Sequence, residues 1–192
     1  MINLQNIRKI IGKTIIIRKA EPTDLEAIYR NVWSDNDVLS TTYLYHSPDI
    51  EEARSRLERT INFQKDKNMF FLALKETNEA FGLCGIFQLS DDLYEEAGLI
   101  LGKQFQHKGY GTEMLNILLD VVFNHLGAKE FKYSYCEGNN KSRGLADKFG
   151  FKFVGSAIET RSWDKKEFLQ HTSISTRLII EKIFFIVIKI KF

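Results

Sequence analysis

Apolar and polar positions alternate along the chain with two periods. Thr14-Ile15-Ile16-Ile17-Arg18-Lys19 is a short apolar run and predicts a first strand. Thr23-Asp24-Leu25-Glu26 then reads as a capping box, in which the threonine hydroxyl accepts the N3 amide and the glutamate reaches back. Behind it Leu25, Ile28, Tyr29, Val32 and Trp33 fall on one helical face. Ser47-Pro48 predicts the start of a second helix, because proline suits a position whose N–H would lack an intrahelical partner. Ile50, Ala53, Leu57 and Ile61 continue its apolar face. The runs 69–74 and 81–89, parted by Glu76-Thr77-Asn78-Glu79, predict a hairpin.

A further strand, 97–101, leads into a glycine-rich turn at 106–111 and a long helix over 112–126, stopped by Gly127. Residues 131–136 alternate as a half-buried strand does. A short helix over 140–149 ends at Gly150, and two strands follow near 152–159 and 167–176. The expected fold is α/β or α+β: a mixed sheet with helices covering its faces.

Composition narrows the class. With 192 residues, 44% hydrophobic and 12% aromatic, the chain suits one domain with a substantial core. No repeat or linker divides it. We expect an N-terminal extension at 1–13, a domain at 14–178 and an apolar tail at 179–192. A net charge of +2 gives no broad basic field for nucleic acid. Cys84 and Cys136 form no disulfide framework, and no His/Cys/carboxylate cluster offers metal-ligand spacing. These features, with no signal peptide at the N-terminus, give a reducing cytoplasm as the expected location. Residues 178–192 hold 11 apolar and 4 charged residues, too short and interrupted to cross a bilayer. A terminal strand or an oligomer contact is the favoured reading of the tail, ahead of a membrane-surface segment.

The chemistry concentrates in Leu99-Ile100-Leu101-Gly102-Lys103-Gln104-Phe105-Gln106-His107-Lys108-Gly109-Tyr110-Gly111-Thr112-Glu113. A buried strand runs through two glycines into a helix. Amides of the first helical turn have no intrahelical acceptor, and the macrodipole adds about half a positive charge there. Glycines let such a backbone approach a phosphate closely. The spacing is neither Walker A nor a full dinucleotide fingerprint, since Met114 stands where the third glycine would be.

Gln106-His107-Lys108-Gly109-Tyr110-Gly111, followed by Asn139-Asn140-Lys141-Ser142 and Asp147-Lys148-Phe149-Gly150-Phe151, resembles the GNAT superfamily of acetyl-CoA-dependent N-acetyltransferases. The Asn-x-x-Ser and Gly-Phe elements, with Glu96-Ala97-Gly98, are similar to the subgroup that includes the ribosomal-protein (Rim-type) N-terminal acetyltransferases. The resemblance implies a mostly antiparallel sheet of about seven strands whose fourth and fifth strands splay apart. It implies that acetyl-CoA is the co-substrate, with pantetheine along the backbone of Leu99, Ile100 and Leu101. Gln106, His107, Lys108, Gly109, Tyr110, Gly111 and Thr112 would hold the pyrophosphate. Asn139 and Ser142 would face the thiol region, although Asn139 or Asn140 is equally a helix cap. No metal is implied, and a homodimer is one assembly the family often forms.

Acetyl transfer to an amine needs a base for the ammonium, donors for the oxyanion and an acid for the leaving sulfur. The candidates are Glu96 as base, Glu159 as its substitute, an N–H near Leu101 for the oxyanion and Ser142 for the sulfur. Ala146 occupies the position where many family members carry an acidic tyrosine, and Arg161 stands where the subgroup has a carboxylate. Those departures keep a second reading open: a non-catalytic coenzyme-A-binding sensor or protein-interaction module. For an enzyme, the expected acceptor is a primary amine, such as a protein N-terminal α-amine, attacking directly in a ternary complex. An α-amine of pKa about 7.7–8.0 is roughly a tenth neutral at pH 7, a lysine amine far less.

Overall fold

Ile15, Ile17, Phe70 and Leu72 join one buried cluster while Phe71, between the last two, joins another. Strands with apolar side chains on both faces demand cover on both faces. The structure, a computed structural model, describes residues 7–177, 179 and 189–191.

In chain order the elements are β1 (Lys9–Ile11), β2 (Ile15–Arg18), α1 (Leu25–Ile28), α2 (Asn36–Leu39), α3 (Ile50–Gln64), β3 (Met69–Leu74), β4 (Ala80–Gln88), β5 (Leu93–Glu96) and β6 (Ile100–Leu101). Then come α4 (Tyr110–Asp120), β7 (Glu130–Cys136), α5 (Asn140–Lys148), β8 (Lys152–Thr160), β9 (Glu167–Thr176) and β10 (Lys189–Lys191). The sheet runs β10-β1-β2-β3-β4-β5-β7-β9-β8, with β6 also on β4. All pairs are antiparallel except β5 with β7. The architecture is the one expected, a mixed, mostly antiparallel open sheet with helices on both faces. Among the described residues, ten strands exceed the expected seven or so because β1 and β10 extend one edge and a bulge divides the expected fourth strand into β5 and β6. Of the tail, Lys189–Lys191 is a strand pairing with β1.

α4 and Phe149–Phe151 cover one face with Met114, Leu115, Leu118, Val122 and Phe149. α1 and α3 cover the other with Leu25, Ile28, Trp33, Ala53 and Leu57. Two helix starts differ from expectation. Glu21 and Asp24, not Thr23 and Glu26, form the reciprocal box, around a 3₁₀ turn at Pro22–Asp24. Buried Asp24 is fixed there by Arg18, whose guanidinium holds both carboxylate oxygens at 2.6 and 2.7 Å. The cap of α3 is Asp49, whose Oδ1 accepts the Glu52 amide at 2.8 Å, so Pro48 precedes the cap. The long helix begins at Tyr110 and ends in a π-helical turn, Val121–His125.

Candidate active site

The site begins where β5 leaves β7. Their parallel register holds from Leu93↔Glu130 to Glu95↔Lys132 and goes no further. Lys132 and Glu95 pair at 2.8 Å at this last rung. On the other side, β4 meets Glu96 at Ile86 but Ile100 at Leu83, so the β5–β6 strand carries one extra residue. Gly98, at φ +88°, sits in this bulge, a conformation suited to glycine. The expected unbroken strand over 97–101 is therefore interrupted, and only Ile100 and Leu101 resume pairing. β6 leans on β4 and β7 on β9, leaving the fork open between them. Gly102 donates its N–H to Phe81 O at 2.8 Å on the β4 side. Strand alternation then turns the N–H of Leu101, one residue earlier, towards the fork.

Two cavities meet in this fork. One, of about 610 Å³, is lined by Trp33 and by residues of α3, β3, β4, β5, β7 and β8 and of the segment after α2. The other, of about 590 Å³, runs along Leu101, Gln106, Gly109, Gly111 and Thr112 to α5. Thr42, Leu99, Ile100, Tyr133, Asn139 and Ser142 border both.

The second cavity fits an anionic ligand. No side chain caps α4, so its first-turn amides stay available behind Gly109 at φ +88°. A Cβ at Gly109 would meet nothing within 4 Å: the space beside it is open. Lys141 Nζ reaches Gln106 Oε1 at 2.6 Å, and Lys148 Nζ reaches Thr112 Oγ1 at 3.2 Å, which places two ammonium groups at the rim. Gln106 also donates to Leu101 O at 3.0 Å, tying the loop to the fork. His107 lines the cavity at φ +60°. Lys108 and Tyr110 do not line it: Lys108 lies 5.8 Å from the Phe105 ring and Tyr110 packs on Phe81. Asn139 both caps α5, through Ser142 N at 3.1 Å, and borders the two cavities.

The first cavity carries the titratable groups. Glu96 and Glu159 both line it, brought together from β5 and β8. Burial pushes the Glu96 carboxyl up to about 7, with Glu95 adding repulsion, against the opposing pull of the Gly98 and Ser134 amides and Lys132. Tyr43 is pushed up to about 12 by burial and then by Glu159 and other acids around it. Residues 40–43 form the roof and are tied to the sheet. Arg161 Nη1 donates to Ser40 O and Thr42 O at 3.2 and 3.3 Å, and Trp163 Nε1 donates to Tyr43 O at 3.1 Å. Arg161, anchored by Asp164 at 2.6 Å, thus has a structural use at a position expected to carry a carboxylate.

Tyr133 is the residue that sequence reasoning passed over. It borders both cavities, and the Ser142 side chain lies at its hydroxyl, restraining a pKa that burial pushes up. Alternation along β7 groups Phe131, Tyr133 and Tyr135 on one face; only the fork with β5 turns one of them into a site residue. Ala146 and Tyr133 are buried in the same core cluster.

Parted strands, an uncapped helix start and a half-buried carboxylate beside the meeting of the two cavities suit transfer of a group from an anionic carrier. Residues 14–152 match the Acetyltransferase (GNAT) domain family. The chain belongs to that family and is an acyltransferase. It is 27% identical over 146 residues to an uncharacterised N-acetyltransferase p20 of Bacillus licheniformis, covering 73% of this chain and 80% of the relative. A candidate ribosomal-protein-serine acetyltransferase of Vibrio cholerae superposes with TM-score 0.74 at 17% identity, covering 88% of this chain and 97% of the other. The microcin C7 self-immunity acetyltransferase, in complex with acetyl-CoA and AMP, superposes with TM-score 0.69 at 19% identity, covering 86% and 93%. The fold is shared with both. Among the described residues, no helix is long and apolar enough to cross a membrane and no group of three His, Cys, Asp or Glu side chains could hold a metal.

Proposed function

We propose that the protein moves an acetyl group from acetyl-CoA to a primary α-amine, by direct attack with both substrates bound. The observation that carries this reading is the meeting of two cavities at Leu99, Tyr133 and Ser142, with Glu96 on one side and the uncapped start of α4 on the other. Acetyl-CoA, the family's acyl donor, supplies a thioester carbonyl.

The chain's own groups then have separable tasks. First-turn amides of α4, with Gly109 and Gly111, take the diphosphate, helped by Lys141 and Lys148. The fork-facing backbone of Leu99 and Leu101 pairs with the pantetheine amides, as an added strand pairs with an edge. The Leu101 N–H is the candidate oxyanion donor. Glu96, poised near neutrality, takes the ammonium proton, and Glu159 adds negative charge on the same wall. Tyr133, with Ser142 at its hydroxyl, hands a proton to the departing sulfur. An α-amine suits this site because a base near 7 deprotonates it with a smaller deficit than a lysine amine.

Protein N-termini are included in that class; the name of the Vibrio cholerae neighbour supports this choice. The experiment is thiol release from acetyl-CoA with a short peptide bearing a free N-terminus and with its N-blocked, lysine-bearing version. Faster turnover of the free N-terminus is expected. Faster turnover of the blocked peptide contradicts the α-amine assignment, and binding of coenzyme A without amine-dependent release contradicts catalysis.

A further inference from the structure

Arg56 on α3 is 6% exposed and lines the acceptor-side cavity. Its guanidinium carbon lies 4.5 Å from the Trp33 ring centre and 4.6 Å from that of Tyr45. Nη1 donates to Tyr45 O at 2.6 Å and to Ser47 Oγ at 3.2 Å. Both of those acceptors are neutral. Among the described residues Arg56 has no carboxylate within 4 Å, Glu52 acting on it only from farther off, whereas its helix neighbours are directly paired: Arg54 with Glu51 at 3.5 Å and Arg59 with Glu52 at 2.8 Å. Glu52, one turn earlier, directs its Oε1 to Arg59 and the Tyr45 hydroxyl. Burial lowers the Arg56 pKa to about 10, so it remains a cation at neutral pH.

A buried cation with no carboxylate in direct contact is costly. Arginine's planar fork matches a carboxylate through two parallel bonds. The same cavity holds Glu96 and Glu159, which suit an ammonium, and Phe63, Phe70 and Phe87, which suit an apolar body.

We propose that the acceptor is a zwitterion, an apolar α-amino compound or short peptide whose free carboxylate is bound by Arg56. This deepens the acetyl-transfer reading and rests on it. The test compares the dipeptide Phe-Leu with its C-terminal amide as acceptors, since the two share an amine and an apolar body. The wild-type enzyme is expected to favour the acid at least tenfold in kcat/KM, expressed through KM. In Arg56→Gln the acid-to-amide ratio is expected to fall towards one, and in Arg56→Lys to lie between. Equal use of acid and amide by the wild type, or an unchanged ratio in a folded Arg56→Gln protein, overturns the proposal. Turnover of other amines with neither dipeptide accepted also overturns it.

Absence of thiol release with every amine would instead count against acetyl transfer. Equilibrium binding of the two dipeptides to the coenzyme-A-loaded protein then decides this proposal by itself. Tighter binding of the acid supports it; equal affinity, or no binding of either, overturns it.

Discussion

Across the bulge in the fourth strand, Glu96 accepts the backbone N–H of Gly98 at 2.5 Å. That bond aims the carboxylate into the fork while burial keeps it near neutrality. A carboxylate whose folded pKa lies above its unfolded value is protonated more readily in the native state, so its contribution to stability falls as pH rises between about 4.5 and about 7. Glu96→Gln is therefore expected to raise Tm at pH 8 more than at pH 5. The same variant loses a limb of the kcat/KM profile near pH 7, the limb that stays in place when acceptors of different amine pKa are exchanged. An unchanged profile would remove Glu96 as the base.

In the proposed mechanism Tyr133 and Ser142 act as one donor unit at the sulfur. Tyr133→Phe keeps the ring's packing against Phe151 and is expected to lower kcat by roughly 100-fold, the low end of general-acid effects. Ser142→Ala is expected to do the same, with the double variant little worse than either single one. Coenzyme A affinity, read by calorimetry, serves as the reference for Tyr133→Phe. Fully additive losses would mean the two groups work independently.

Gly109 and Gly127 form a matched pair, at φ +88° and +76°, and a Cβ at either meets nothing within 4 Å. Valine at Gly109 and alanine at Gly127 should each lose about 1–2 kcal/mol of stability from backbone strain. Only the Gly109 variant is expected to lose coenzyme A affinity, by tenfold or more. Equal affinities in the two variants would detach the α4 start from the diphosphate.

Arg161 holds the roof through Ser40 O and Thr42 O. Arg161→Met is expected to raise the amine KM about tenfold, because small misplacements near a reacting centre are costly. Coenzyme A affinity should fall less, because only Thr41 and Thr42 of the roof reach the second cavity, whose helix start and lysines lie elsewhere. A parallel loss of both would mean that the roof orders the whole fork.

Local chemistry made much of the fold legible. The helix and strand pattern stands nearly as the periodicities predict it, because apolar period and turn residues are encoded within short windows. Thr23 misleads as a cap because the competing Asp24 is held by Arg18, a partner from the preceding strand. The glycine-rich wall of the second cavity was readable because it is carried by one continuous segment. Among the titratable groups on the other side only Glu96 and Glu159 are named from the sequence, since Arg56 and Tyr133 join them from α3 and β7 only through tertiary packing. Arg56 did leave one trace: a charged residue beside Ala53 and Leu57 in an otherwise apolar helical stripe.

The central claim is tested most directly by solving the structure with acetyl-CoA bound. The account predicts the diphosphate on the amides of residues 109–112 and the thioester between Tyr133 and Glu96, at the junction of the two cavities. A coenzyme lying elsewhere, with the fork closed by its own side chains, would contradict it.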